Sequence, residues 1–259
     1  MASARTLSVV VPAYNEKGNL EAAVRDVVQA LRTFDDYEII IVNDGSTDGT
    51  REVADHLAAT IDRVRAIHHE PNRGFSASYQ TGLAHARMAY FTFVPGDREV
   101  AAESVEGIFA AVGKADLVIP YHGTPWNRTW FRRALTWICT TQLNVLFGRR
   151  LHYFQGPAVY PTALARVLPI ETSGFFFATE MLVNALLMGY SYVEVPLTHH
   201  ERTYGQSKAV KWSNIVNAQL TILRLWWKLR VRGNTAARPS SVEESEPALS
   251  HGAGAGPAR

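Results

Sequence analysis

Asp97 and Glu99 stand two positions apart, just after a short apolar run that ends at Pro95-Gly96. In extended geometry that spacing puts both carboxylates on one side of the chain, where hard oxygen ligands suit Mg²⁺ or Mn²⁺. As an ordinary exposed turn, the same Asp97-Arg98-Glu99 would simply be solvated. Asp44 closes another apolar run beside Gly45-Ser46. It is either an Asx-type turn residue serving its own loop or a hydrogen-bond partner for a nucleoside base or ribose. Pro12 and Tyr14 offer one wall of a nucleoside slot, and Glu16 reads equally as a first-turn helix acid.

A polar stretch further on, residues 199–208, carries Arg202 and Lys208 on either side of Gly205. It is either a plain surface loop or a lid whose two cations close over a diphosphate. His199 and His200 in the same stretch are poor metal ligands. Adjacent residues do not easily share one ion, and no third ligand stands at useful spacing. The sequence has no P-loop and no GxGxxG, so a glycine-rich phosphate cradle is not indicated. Carboxylates holding a metal that holds the phosphates would do the same work.

Composition narrows the classes. Of the 259 residues, 47% are apolar and 19% charged, which supports a sizeable core and excludes wholesale disorder. The single cysteine, Cys139, excludes a disulfide framework and a Cys-based zinc site, and its apolar neighbours predict a buried, inert thiol. No apolar run reaches the ~18 residues that a membrane span needs. The apolar start, 7–13, is interrupted by Pro12 and followed by Tyr14-Asn15-Glu16, as a buried strand would be and a signal peptide would not. The chain therefore reads as cytosolic. The net charge of +2 hides a segregation: residues 117–170 carry six arginines and no acid, and residues 201–233 carry seven Lys/Arg against Glu201. Basic segments on an acidic body suggest an anionic ligand or surface; a nucleic-acid partner is not expected.

The elements that must position these groups follow from periodicity. Short β-branched runs at 7–12, 38–42, 64–68, 90–94 and 116–120 read as strands. Amphipathic segments at 16–34, 50–61, 75–89 and 104–112 read as helices, the second capped by Asp48 or Thr47. Strands alternating with helices predict an α/β architecture, a doubly wound and mostly parallel sheet over 1–120. Ligands bind such sheets at the strands' carboxyl ends, so the tips at 14–16, 43–45 and 97–99 should share one crevice. Helices are expected at 130–147, 180–188 and 210–232, with a strand at 192–196. The Ala, Gly, Ser, Pro and Glu composition from 234 onward predicts a disordered tail.

Val11-Pro12-Ala13-Tyr14-Asn15-Glu16 and Ile41-Val42-Asn43-Asp44-Gly45-Ser46-Thr47-Asp48-Gly49-Thr50 closely resemble the opening of family 2 glycosyltransferases of the GT-A fold. Asn72-Arg73-Gly74 with Ala77 and Gly82 resembles their next signature. Arg202-Thr203-Tyr204-Gly205-Gln206-Ser207-Lys208 resembles the R-x-x-G-x-S-K segment of the polyprenyl-phosphate branch, which includes dolichol-phosphate mannose synthase. The resemblance spans roughly residues 7–210, with the four motifs in order.

The resemblance implies a site. Pro12, Tyr14, Glu16, Val42 and Asp44 match positions that line the nucleoside slot. Asp97 matches the second carboxylate of Asp-x-Asp, and Glu99 the following residue that helps hold Mg²⁺ or Mn²⁺. Arg202 and Lys208 match the pair that neutralises the donor diphosphate, so that Asp97, Arg202 and Lys208 carry the catalysis. Arg132 or Arg133 falls where an arginine faces the acceptor phosphate. Glu180 resembles the acid of an F-x-x-E stretch, with a structural helix-start acid as the equal alternative. Three positions depart: Pro95 replaces the first Asp, His122 stands where the mannose synthases have arginine, and Gln155-Gly156 replaces Asp-x-x-Ser-Gly surroundings. The donor sugar and base therefore stay open.

The implied activity is inverting transfer of a hexose from a GDP- or UDP-linked nucleotide sugar to a polyprenyl phosphate. The implied division is a catalytic domain at 1–210, with a nucleotide-sugar half (1–120) and an acceptor half (121–210), then an amphipathic helix at 211–233 and the tail at 234–259. Leu220, Leu223, Trp226 and Trp227 interleaved with Arg224, Lys228, Arg230 and Arg232 suit a helix lying on the inner face of a membrane. The same apolar face would also suit packing on the core. Transfer to a soluble hydroxyl, with Glu180 as base, and a non-catalytic nucleotide-sugar-binding module are the alternatives.

Overall fold

The computed structural model describes residues 5–123, 130–172, 174, 176–198 and 212–231, apart from the side chains of 131–132, 212–218 and 230–231. The expected tail, the 199–208 stretch with Arg202 and Lys208, and the side chain of Arg132 lie outside the described residues.

Strands β1 (Thr6–Ala13), β2 (Asp36–Asp44), β3 (Val64–His69) and β4 (Tyr90–Phe93) alternate with helices α1 (Leu20–Ala30), α2 (Thr50–Thr60) and α3 (Phe75–His85). They pair in parallel in the order β3-β2-β1-β4. After α4 (Ala102–Ala110), β5 (Leu117–His122) and α5 (Trp130–Phe147) come a two-residue strand β6 (Tyr160–Pro161) and α6 (Thr162–Val167). The chain continues with α7 (Phe176–Leu187), β7 (Tyr192–Leu197) and α8 (Trp212–Trp226), which runs into a π-helical turn, Trp227–Val231. β6 adds antiparallel to β4 as the fifth strand. β5 is not a further strand of that sheet, as the spacing suggested; it pairs in parallel with β7 and joins the larger sheet through an antiparallel bridge between Val118 and Val159.

Strand alternation builds two cores. Val9, Val11, Ile39 and Ile41 project to one face with Leu20, Val24, Leu57 and Phe109 from α1, α2 and α4. Val10, Ile40 and Val42 project to the other with Tyr79, Phe177 and Met181 from α3 and α7. Because both faces are covered, the centres of the two middle strands, Val9–Ala13 of β1 and Ile39–Val42 of β2, are apolar at consecutive rather than alternate positions. Each fully buried aliphatic side chain contributes roughly 1.5–3 kcal/mol. Helix α3 crosses β1 so closely that a Cβ on Gly82 would lie 2.3 Å from the Val10 side chain, so only glycine fits there.

Two helix ends differ from the periodicity, each because backbone N–H groups find partners elsewhere. The segment before α1 folds as a turn: Glu16 O accepts from the N–H of Asn19 and of Leu20, while the Glu16 N–H donates to Thr50 Oγ1. α3 stops at His85 because Arg87 N donates to Glu38 Oε1 and Met88 N to Ser8 Oγ. Glu38 is 1% exposed and also accepts from Ser8 Oγ, Arg65 and Arg87. Burial alone would raise its pKa, but these donors and the Arg65 charge outweigh it, and the carboxyl sits below its ordinary range. Cys139 is buried, as expected, and burial pushes its thiol up.

Candidate active site

The crevice at the carboxyl ends of β1, β2 and β4 begins as two loops bonded to each other. Asn15 N donates to Ser46 Oγ, Thr47 N to Asn15 Oδ1, and Lys17 N to Asp48 Oδ2. Asn15 takes a left-handed φ of 57°, which a short polar side chain tolerates. Asp48 Oδ1 accepts from both the N–H and the hydroxyl of Thr50, but the N-cap of α2 is the left-handed Gly49, which has no side chain to cap with, rather than the expected Asp48 or Thr47. Partial burial acts to raise the Asp48 pKa, but the Thr50 hydroxyl and the backbone N–H groups prevail and hold it low. The Asp-Gly-Ser-Thr-Asp-Gly segment thus ties the tips of β1 and β2 into one rim.

Register sets the depth of the slot residues. Pro12 pairs with Val42, and both are buried; Val42 packs within the core that holds Val10 and Tyr79. Tyr14, one step past β1, is 46% exposed on the rim. Glu16 is partly buried and accepts from Asn19 Nδ2, holding the turn before α1. Asp44, the last residue of β2, is 4% exposed, and both of its carboxylate oxygens are hydrogen-bonded. Its Oδ1 lies 2.7 Å from His69 Nδ1 and accepts from Arg73 N at 2.9 Å; its Oδ2 accepts from Gly74 N at 2.8 Å. Asn72 Nδ2 donates to the Asp44 carbonyl. Gly45, at φ +69°, has no room for a side chain, since a Cβ there would stand 2.6 Å from Asn72 N. Asp44 therefore does more than serve its own turn: it anchors the loop that opens α3.

β4 continues past Phe93 alongside β1, with Val94 N donating to Val10 O and Gly96 N to Pro12 O. Asp97 is thereby delivered to the same rim as Pro12 and Tyr14. Asp97 Oδ1 accepts from Glu99 N at 3.1 Å, and both residues are partly buried. Arg98 between them adopts φ 57° and turns away to pair with Asp26 on α1. Among the described residues there is no group of three or more His, Cys, Asp or Glu side chains able to hold a metal ion. The left-handed Arg98 breaks the extended geometry expected over 97–99, so strand alternation does not align the two carboxylates. Asp97 and Glu99 still supply the one or two protein carboxylates that Mg²⁺ or Mn²⁺ commonly takes before substrate phosphates and water complete its shell.

The other expected site residues fall further out. Glu180 on α7 is 2% exposed, and its Oε2 accepts from Glu171 N, Thr172 N and the Thr172 hydroxyl at 2.9–3.0 Å. That is the work of a structural acid holding the turn before α7. Arg133 is exposed on α5. His122, at the end of β5, packs its ring against Tyr153 with centroids 4.3 Å apart.

Two features went unseen in the sequence. One is His69, which the period-2 pattern ended one residue short of. The other is the outer surface of α5. Trp130, Trp137, Ile138 and Val145 share its solvent face at i, i+7, i+8 and i+15, with Trp130 79% and Val145 75% exposed. Cys139, Leu143 and Phe147 occupy the buried face. Along α8 and the π-helical turn that follows it, Leu220, Leu223 and Trp227 are exposed while Ile222, Leu225 and Leu229 are buried, so apolar residues there both pack on the core and face outward. The two helices are neighbours, with Gln219 Nε2 donating to Cys139 Sγ. Among the described residues no helix is long and apolar enough to cross a membrane.

Comparison with known proteins agrees with this geometry. The profile of glycosyl transferase family 2 matches residues 8–168. Polyprenol monophosphomannose synthase of Mycolicibacterium smegmatis is 33% identical over 241 residues, 88% of either chain. Undecaprenyl-phosphate mannosyltransferase of Micrococcus luteus is 28% identical over 210 residues, 77% of this chain and 85% of that protein. Among solved structures, glucosyl-3-phosphoglycerate synthase from Mycobacterium tuberculosis, in complex with Mn²⁺, UDP and phosphoglyceric acid, matches with a TM-score of 0.64. That match has 16% identity and covers 91% of this chain and 80% of that one. The motif order, the crevice they build and these likenesses together make the chain a member of glycosyl transferase family 2 with the GT-A fold.

Proposed function

We propose that the chain transfers a hexose, with inversion, from a GDP- or UDP-linked nucleotide sugar to a polyprenyl phosphate. The names of its relatives make mannose the first donor sugar to test. The observation that carries the lipid acceptor is the exposed tryptophan-bearing surface of α5 and α8. It belongs to a stretch rich in arginine and, from 117 to 170, free of acid. Aromatic rings beside cations suit a membrane interface, and the enzyme would lie peripherally on the inner face, held by residues 211–233 together with α5.

In this reading residues 1–120 hold the donor and residues 121–210 the acceptor. Tyr14 and Asp44 contact the nucleoside, with Pro12, Val42 and Glu16 shaping the slot. Asp97 and Glu99 would hold Mg²⁺ or Mn²⁺, which supplies charge neutralisation at the leaving diphosphate; Arg202 and Lys208 add to it. An acceptor phosphate oxygen, oriented by Arg132 or Arg133, attacks C1 as the bond from C1 to the diphosphate oxygen breaks. A dianionic lipid phosphate becomes a monoanionic diester and the nucleoside diphosphate departs with the third negative charge, so no proton moves. That balance removes the need for a general base, in keeping with the buried and already engaged Glu180. Preorganised charges of this kind contribute roughly 3–4 kcal/mol per donor to the transition state.

The test is nucleoside diphosphate release from a panel of GDP- and UDP-sugars with Mg²⁺ or Mn²⁺, with and without polyprenyl phosphate. Release that depends on the lipid phosphate is expected and names the donor. Release driven instead by a soluble hydroxyl acceptor would overturn the lipid assignment, and nucleotide binding without turnover in any arm would leave a binding module.

A further inference from the structure

Beyond the donor slot itself, and resting on the reading of Asp44 as one of its walls, we infer that His69 is a positioning residue for nucleobase recognition, acting through Asp44. His69 is the register partner of Asp44 across β2 and β3 and is 5% exposed. Its ring bridges two elements: Nδ1 lies 2.7 Å from Asp44 Oδ1, and Nε2 lies 2.9 Å from Thr81 Oγ1 on α3. With Asp44 ionised, one tautomer satisfies the whole chain. Nδ1–H donates to the carboxylate, and Nε2 accepts from the Thr81 hydroxyl.

The arrangement is asymmetric in a way that matters for a ligand. A carboxylate oxygen offers about two acceptor positions. Oδ1 accepts from Arg73 N and faces His69, which fills it, whereas Oδ2 accepts from Gly74 N alone among the described residues. The remaining acceptor capacity of Asp44 is therefore concentrated on Oδ2, and the His69 bond keeps the carboxylate plane from turning Oδ1 outward. A base edge bearing an N–H, the imide of a uracil or the N1–H of a guanine, would meet one defined oxygen. Arg73 N and Gly74 N alone do not specify which oxygen takes the second bond; the third donor does.

Two conservative variants separate this role from that of a strut between β3 and α3. In His69→Asn the amide nitrogen replaces Nδ1, which keeps the bond to Asp44 and gives up Thr81. In His69→Gln the longer amide replaces Nε2, which keeps Thr81 and gives up Asp44. Titration calorimetry of the full chain with UDP and GDP in the presence of Mn²⁺ reads the outcome, alongside melting temperatures. His69→Gln is expected to weaken the preferred nucleotide about tenfold, the scale of one hydrogen bond to a charged group. His69→Asn is expected to rescue binding to within about threefold of wild type, and Thr81→Val to do the same. Equal losses in the two His69 variants, or a loss in Thr81→Val as large as in His69→Gln, would overturn the inference and make the ring a strut. A wild-type protein that binds neither nucleotide would overturn the donor-slot reading beneath it, an outcome distinguishable from the first two.

Discussion

Replacing Asp44 by alanine tests the claim that one side chain both anchors the loop before α3 and belongs to the slot. The carboxylate accepts from two backbone N–H groups, Arg73 and Gly74, and bonds the His69 ring, all within 2.7–2.9 Å. Hydrogen bonds to a charged group contribute about 1.5–3 kcal/mol each, and a buried donor left without a partner costs a further share of its desolvation. Water entering from the rim would recover part of this, so Asp44→Ala should destabilise the protein by about 3–5 kcal/mol. For a chain of this size 1 kcal/mol shifts the melting temperature by about 2–4 °C, which predicts a fall of roughly 10 °C. Thermal unfolding followed by circular dichroism gives the number, and nucleotide titration below the transition gives the binding loss. Tyr14→Ala is the contrasting variant: a 46% exposed rim residue should leave the melting temperature unchanged and lower nucleotide affinity alone. A fall of less than about 2 °C in Asp44→Ala would refute the hydrogen-bond reasoning, because the Arg73-Gly74 loop would then be held by something other than this carboxylate.

Other outcomes follow from the same geometry. Trp137 and Trp227 are 69% and 53% exposed, so the double alanine variant should keep its melting temperature yet lose most of its binding to vesicles containing anionic lipid, read by co-sedimentation; undiminished binding would remove these helices from the membrane contact. Glu38 has a depressed pKa in the folded state, so its contribution to stability is present above the ordinary glutamate pKa and is lost as pH falls through the lower folded value. Glu38→Gln should accordingly be less stable at pH 7 and show a flatter decline in denaturant-measured stability between about pH 5 and 3 than the wild type.

Much of the crevice was legible because it is built from local signals. The strand at 7–12 and its proline, the turn residues of 43–50 and the carboxylate spacing at 97–99 each announce themselves within a few residues. The parallel pairing of β1 with β2 and β4 then brings them to one edge. What could not be read is of a different kind. That β5 leaves the main sheet for β7 depends on pairing across about 75 residues, and neither strand's pattern names its neighbour. The short β6 with α6 carries too few residues for a period to show. On α5 both faces are apolar, so periodicity located the helix without saying which tryptophans would meet solvent.

By itself, then, the sequence determined the alternating α/β order, the rim residues Tyr14, Asp44, Asp97 and Glu99, and the family motifs, since these rest on period, turn chemistry and short spacings. Tertiary structure alone decided that Asp44 is bonded to His69 and the 72–74 loop, that Glu180 holds a turn, that Arg98 leaves the crevice for Asp26, and that Glu38 is buried among donors. The physical reason is that hydrogen-bond partners of buried polar groups come from strand register and helix crossing, which bring residues as far apart as 25 and 72 positions within 3 Å while local pattern says nothing of them.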